Sequence, residues 1–145
     1  MSKSSIIFAD DNLRLREYLR MAFQADSNFL IAKEAGDGLE LLEQLKEITP
    51  DIVLLDISMP NLSGLQAAEI IKQLYPQVKI VILTFNQSHT YFRRASEIGV
   101  DGYVLKEEIE DINNIIMSVL QGKTYISSYF KTERLWPDGP KYGRA

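Results

Sequence analysis

The chain has no cysteine, a single histidine and no long hydrophobic run among its 145 residues. Disulfides, cysteine-based zinc sites and thiol nucleophiles are therefore excluded. No apolar run approaches the ~18 residues that a membrane span needs, and Asp10 comes too early for a signal peptide. The 16 Lys and Arg against 20 Asp and Glu leave a net charge of −4, which argues against nucleic acid or a membrane surface as a direct partner. We therefore expect a one-domain cytoplasmic protein.

Short apolar runs alternate with longer amphipathic segments along the chain. Apolar residues of the longer segments recur at helical spacing, as Leu15, Leu19 and Phe23 do. The short runs predict buried strands at residues 4–9, 29–32, 51–55, 78–83 and 103–105. Continuous apolar strands indicate a parallel sheet covered by helices on both faces. The pattern predicts a flavodoxin-like, doubly wound α/β fold with a five-stranded sheet in the order 2-1-3-4-5.

Polar side chains directly follow four of the predicted strands. They are Asp10 and Asp11 after the first, Asp56 after the third, Thr84 after the fourth and Lys106 after the fifth. Ligands of doubly wound sheets bind beyond the carboxyl ends of the strands, where the strand order reverses, so the three carboxylates should meet there. Taken alone, the acidic pair would be interpreted as a helix cap. Together, close carboxylates repel unless a cation joins them, and Mg²⁺ prefers oxygen ligands.

Lys106 adds a fixed positive charge that a metal site alone would not need. A metal, a lysine and a hydroxyl together suit the spread negative charge of a phosphoryl group in transfer. A carboxylate can act as the nucleophile in such a transfer. Asp56 is the best candidate because it stands alone at the centre of the edge, while the adjacent pair can hold the metal.

Over roughly residues 4–122 the chain resembles the receiver domain of two-component response regulators. The resemblance rests on these motifs in order: Asp10-Asp11, Leu54-Leu55-Asp56 followed by Met59-Pro60 and Gly64, Thr84, and Gly102-Tyr103-Val104-Leu105-Lys106. Glu107 stands where many receivers have proline. This departure, and the stretch Gly-Val-Asp-Gly-Tyr-Val-Leu-Lys, are similar to the subfamily that carries a LuxR-type helix-turn-helix.

The resemblance implies that Asp56 accepts a phosphoryl group from a sensor histidine kinase. Asp11, Asp56 and the main-chain carbonyl of Ser58 would bind Mg²⁺, with Asp10 acting largely through water. The protein would not be an enzyme toward other substrates, because it would catalyse only its own phosphorylation and dephosphorylation.

The resemblance also implies a switch between two conformations. Lys106 would pair with the phosphoryl group, the Thr84 hydroxyl would move toward it, and Tyr103 would swing inward. The switch would control an output, most simply transcription, and phosphorylation would favour a homodimer. This chain itself would bind neither nucleic acid nor membrane.

The regular alternation ends near Thr124, so we interpret residues 1–123 as the receiver domain and 124–145 as a linker or C-terminal tail. The tail carries Trp136, two prolines and two glycines without a period. A DNA-binding domain would need roughly 55–65 residues, so we expect any such output domain to be absent from this chain.

Two other functions stay open at this point. A Mg²⁺-dependent phosphatase of the haloacid dehalogenase type also combines Asp, Thr, Lys and acidic metal ligands, but its nucleophile lies in an Asp-x-Asp motif rather than the adjacent Asp10-Asp11. The other is a non-phosphorylated interaction module with a relic site. A flavodoxin-type cofactor binder is disfavoured, because the first loop lacks a Gly-rich phosphate cradle.

Overall fold

A computed structural model of the protein describes residues 3–131. The strands are β1 (Ser4–Ala9), β2 (Phe29–Ala35), β3 (Ile52–Leu55), β4 (Lys79–Thr84), β5 (Gly102–Leu105) and β6 (Tyr125–Ile126). The helices are α1 (Leu13–Gln24), α2 (Gly38–Glu47), α3 (Gly64–Leu74), α4 (His89–Ile98) and α5 (Ile112–Leu120), with 3₁₀ turns at Lys106–Asp111 and Ser128–Phe130. Within this described part, none of the helices has the length and apolar character required to cross a membrane.

The strands form one parallel sheet in the order β2-β1-β3-β4-β5-β6. This confirms the doubly wound α/β fold and the order 2-1-3-4-5 within it. The predicted count of five strands is wrong, because β6 pairs with the outer edge of β5. Two residues are too short to show a period in the sequence, and their pairing depends on an edge that exists only in the folded sheet.

The sixth strand comes from the segment that sequence analysis interpreted as a linker or tail. Residues 125–130 pack on the sheet, and Phe130 is completely buried. The rest of that segment from residue 132 onward, including Trp136, lies outside the described residues.

Two hydrophobic clusters cover the opposite faces of the sheet. Successive residues of β1 alternate between them: Phe8 belongs to the cluster that includes residues of α1 and α5, whereas Ile7 belongs to the cluster that includes residues of α2, α3 and α4. Because both faces are covered, the buried parts of the central strands are apolar, as at residues 6–9 of β1 and in all of β3. The loops at the carboxyl ends of the strands therefore carry the polar side chains that could form a site.

The loop between β3 and α3 is held by close backbone contact. Ser63 caps α3 in a reciprocal capping box with Gln66. The Gly64 N–H donates to the carbonyl of Ile57 at 2.8 Å. A Cβ at position 64 would overlap the carbonyl oxygen of Asp56, so only glycine lets α3 begin this close to the end of β3.

We expect Gly64→Ala to lower the free energy of unfolding by about 3 kcal/mol or more, because the backbone at residues 56–57 must move to admit the methyl group. Gly122→Ala is the comparison, since a Cβ there meets nothing within 4 Å and only the positive φ of 99° is strained. That variant should lose about 1 kcal/mol. Urea denaturation measures both, and equal losses would contradict the proposed overlap.

Candidate functional site

The candidate site lies at the carboxyl end of the sheet, where β1 and β3 are neighbours. Ala9 and Leu55 are paired at the ends of these strands, and the N–H of Asp56 donates to the Ala9 carbonyl at 3.0 Å. Asp10 and Asp56 therefore begin their loops side by side. Both are buried, with 2% and 6% of their surface exposed.

Asp11 completes a cluster of three carboxylates. One oxygen from each of Asp10, Asp11 and Asp56 lies within 4.8 Å of the others. Asp11 is exposed while the other two are buried, so the cluster is open to solvent on one side. Carboxylates this close repel one another, and a hard cation among them would relieve the repulsion. The all-oxygen donor set thus fits a Mg²⁺-type ion.

Lys106 supplies the positive charge of the cluster. It follows β5 directly, and its Nζ lies 2.8 Å from Asp10 Oδ2 and 3.4 Å from Asp56 Oδ1. All three side chains of this ion pair network are buried, which excludes most of the solvent screening. The ammonium also lies 4.9 Å from the ring centroid of Phe85, within cation–π range.

Burial gives Asp56 an unusual titration. Loss of solvation, and secondly the negative charge of Asp10, raise the pKa of Asp56 to about 6, while Lys106 opposes the rise. The carboxylate form of Asp56 is thus incompletely stabilised by the protein alone. A cation at the cluster would favour that form, which is the form that can act as a nucleophile.

A cavity of ≈ 250 Å³ opens beside the Asp56 carboxylate. It is lined by Asp56, Ser58, Thr84, Phe85, Asn86 and Lys106. Thr84 Oγ1 accepts a hydrogen bond from the backbone N–H of Asn86 at 3.0 Å, so the hydroxyl keeps its own proton for donation. The cavity is wide enough for a small tetrahedral anion and presents a carboxylate, an ammonium and a hydroxyl to it.

Tyr103 lies in an aromatic pocket beside this cavity rather than in its lining. The side chain is fully buried and makes edge contacts with Phe92 and Phe130, each at 5.2 Å between ring centroids. Burial raises the pKa of the phenol. Tyr103 is paired with Ile82, two residues before Thr84, so the pocket adjoins the strand that carries the Thr84 hydroxyl.

Two contacts at the site were not predicted from the sequence. Arg16 donates from Nη1 to the main-chain carbonyl of Asp10 at 3.1 Å, although its position on α1 predicted only a solvated face. Asn12, not the acidic pair, caps α1 by accepting from the N–H groups of Arg14 and Leu15. Asparagine is a common cap, so this second contact could have been found from the residue type.

The comparisons with known proteins agree with this geometry. Residues 6–118 match the family described as response regulator receiver domain. The chain belongs to this family. The family predicted from the strand-end motifs is therefore confirmed, and the match does not support the haloacid dehalogenase alternative.

Similar proteins of known name place this receiver among LuxR-family regulators. The chain is 34% identical over 122 residues to the transcriptional regulatory protein YxjL of Bacillus subtilis, covering 83% of this chain and 56% of that protein. A DNA-binding response regulator of the LuxR family from Staphylococcus aureus is 32% identical, with a TM-score of 0.77 and coverage of 81% and 98%. A LuxR-family regulator from Aurantimonas is 27% identical, with a TM-score of 0.83 and coverage of 96% and 99%.

The curated relatives are transcriptional regulators, and the receiver spans about half of their length. The predicted LuxR-type relationship is thus confirmed at the level of the family.

The structure brings together the residues named from the sequence: Asp10, Asp11, Asp56, Ser58, Thr84 and Lys106, with Tyr103 adjacent. Their individual roles stay predictions.

We expect Asp56→Asn to stabilise the receiver in EDTA by roughly 1–3 kcal/mol at pH 7.5. Because folding raises the pKa of Asp56, the buried side chain costs the fold little below about pH 4, where it is protonated. As the pH rises through about 6, the folded protein must bury a charge, and its free energy of unfolding falls. The amide carries no charge to desolvate, so the difference between variant and wild type should vanish near pH 4. Urea denaturation across this pH range measures it, with Glu17→Gln, an exposed acid on α1, as the control. An Asp56→Asn protein no more stable than wild type at pH 7.5 would contradict the strained carboxylate.

Proposed function

We propose that this receiver takes a phosphoryl group on Asp56 and acts as the phosphorylation-driven switch of a LuxR-type transcriptional regulator. The observation that carries the proposal is the buried carboxylate of Asp56, with Lys106 Nζ at 3.4 Å and two further carboxylates beside it. Lys106 can hold part of the arriving negative charge, and the cluster of carboxylates can hold a cation that balances the rest.

The proposed step is an in-line displacement at phosphorus. A carboxylate oxygen of Asp56 forms the new P–O bond while the bond to the donor's leaving group, a histidine nitrogen or an acyl oxygen, breaks. Lys106 Nζ exchanges part of its contact with Asp10 for a contact with a phosphoryl oxygen. Hydrolysis of the resulting mixed anhydride by water regenerates the Asp56 carboxylate.

The carboxylates of Asp11 and Asp56 and the carbonyl of Ser58 would hold Mg²⁺, with Asp10 bound largely through water. When bound, the ion would neutralise charge on the phosphoryl oxygens during the transfer. The fit is supported by the mutual distances of the three carboxylates and by their oxygen-only chemistry.

Thr84 would carry the change from the site to the rest of the receiver. Thr84 lines the cavity and its hydroxyl proton is available for donation, so the hydroxyl would be attracted to a phosphoryl group on Asp56 as a hydrogen-bond donor. Movement of Thr84 would alter the packing next to Tyr103 on the neighbouring strand. This is a local electrostatic event that biases a packed, two-state element.

The phosphodonor partner that follows from family membership is a sensor histidine kinase. The relatives named as DNA-binding or transcriptional regulators support transcription as the output, through a domain outside this chain. Association of two copies on phosphorylation stays a prediction. We propose residues 1–123 as the minimal receiver, with the packed residues up to Phe130 as its extension.

Incubation with Mg²⁺ and a small acyl phosphate should add one phosphoryl group to the wild-type protein, because the Asp56 side chain lines the cavity. Intact-mass spectrometry should show an adduct that is stable in acid and removed by hydroxylamine, as expected of an acyl phosphate. Asp56→Asn should acquire none.

Either of two results would sink the assignment: no adduct in the wild type, which favours an interaction module with a relic site, or an adduct that persists in Asp56→Asn. Multiple-turnover release of phosphate from phosphomonoesters would instead revive the phosphatase alternative. Glu17→Gln serves as the matched control and should be phosphorylated at the wild-type rate.

Asp11→Asn should weaken Mg²⁺ binding at least about tenfold, because it removes one anionic oxygen ligand without adding a clash. Isothermal titration calorimetry measures the affinity directly, and Glu17→Gln removes an equal charge from the same helix region without touching the cluster. If both variants lose affinity equally, the effect is one of net charge, and Asp11 is not a ligand.

A further inference from the structure

The outer edge of β5 is occupied by a segment of the chain that follows α5. We call residues 125–130 the edge segment. The N–H of Ser127 donates to the carbonyl of Tyr103 at 2.9 Å, and the N–H of Leu105 donates to Ser127 Oγ at 2.8 Å. Ser127 is completely buried. The edge segment therefore bonds to the backbone on both sides of Val104, and the second of these bonds lies one residue before Lys106.

The edge segment also completes the pocket around Tyr103. Phe130 is fully buried and stacks on Phe92 of α4, with 4.4 Å between ring centroids and 5° between ring planes. Both phenylalanine rings meet the Tyr103 ring edge-on at 5.2 Å and 89°. The Phe92 ring from α4 and the Phe130 ring from the edge segment thus lie side by side against Tyr103.

These two rings bear on the inward position of Tyr103. Its hydroxyl is buried and has no hydrogen-bond partner among residues 3–131. A buried, unpaired hydroxyl disfavours the inward position, because outward rotation would let water satisfy it. Aromatic packing must offset that loss, and Phe130 provides one of the two ring contacts of Tyr103 among residues 3–131.

We propose that Phe130 is a positioning residue for Tyr103, so that attachment of the edge segment to β5 and the inward position of Tyr103 form one equilibrium. Each state then favours the other by the same factor. A change at the site would then alter the attachment of the edge segment through this contact. Anything that detaches the edge segment would in turn alter the position of Tyr103. This regulatory meaning rests on the proposed function, whereas the coupling of Phe130 to Tyr103 does not.

Amide exchange at Leu105 and Ser127, followed by NMR, reports attachment of the edge segment, because these N–H groups form the two bonds. The ¹⁹F signal of fluorotyrosine at position 103, assigned with Tyr103→Phe, reports the position of the ring. Phe130→Ala should speed both exchange rates at least about tenfold and move the ¹⁹F signal toward that of exposed tyrosines. Tyr129→Ala, which removes the adjacent half-exposed ring, should change the exchange rates less than about twofold.

Tyr103→Phe tests the reverse direction and separates coupling from a merely structural role. It removes the unpaired hydroxyl and keeps the ring, so exchange at Ser127 should slow at least about threefold. Phe130→Leu keeps an apolar wall and should lie between wild type and Phe130→Ala if the latter folds poorly. Unchanged exchange in Tyr103→Phe, or a ¹⁹F signal unmoved in Phe130→Leu and Phe130→Ala, would overturn the proposal.

A separate experiment tests whether phosphorylation of the site affects the edge segment. Addition of acyl phosphate and Mg²⁺ should change Ser127 exchange in the wild type at least about threefold and leave Asp56→Asn unaffected. If the adduct forms and Ser127 exchange stays constant, the link between the site and the edge segment is overturned. If no adduct forms, the proposed function fails. The coupling of Phe130 to Tyr103 is still tested by the variants of the unmodified protein.

Discussion

The site depends on one interaction, the buried contact of Lys106 with Asp10 and Asp56. Three carboxylates and one ammonium leave the cluster with excess negative charge, in surroundings that solvate charge poorly. Replacing buried ion pairs by apolar residues is often neutral or stabilising, so this one is weak support for the fold itself. Its value lies in its charge: excess negative charge at a site that solvates charge poorly favours a cation among the three carboxylates.

The fold delivers these charges with little freedom to rearrange. Asp10 bonds through one oxygen to the N–H of Asn12 and through the other to Lys106. Because Asn12 caps α1, the acidic pair is not consumed as a helix cap. On the other side of the cluster, the close approach of Gly64 holds the backbone of Asp56. The strand ends thus bring the carboxylates together, and the loops hold them in place.

On the β5 side, the site adjoins the edge of the sheet. Lys106 leaves β5 toward the site, while the edge segment binds the backbone just before it. The aromatic pocket of Tyr103 lies between the two and is closed by Phe92 and Phe130. Residues 125–130, which composition alone assigns to a linker, therefore pack on the sheet of the receiver. Phe130 of this segment contacts Tyr103, which lies on the strand next to the one that carries Thr84.

Local pattern was enough to determine the alternation of strands and helices, the parallel sheet and the polar residues at its carboxyl edge. Asp10, Asp11, Asp56, Thr84 and Lys106 could be named because each directly follows an apolar strand, and parallel strands bring such positions together. Only the tertiary structure decided the raised pKa of Asp56, the hold of Arg16 on the Asp10 carbonyl, and the pairing of β6. It also decided that Phe130 packs against Tyr103. The Arg16 contact spans only six residues, but the other features arise between segments far apart in the chain, where desolvation and packing depend on neighbours that no periodicity records.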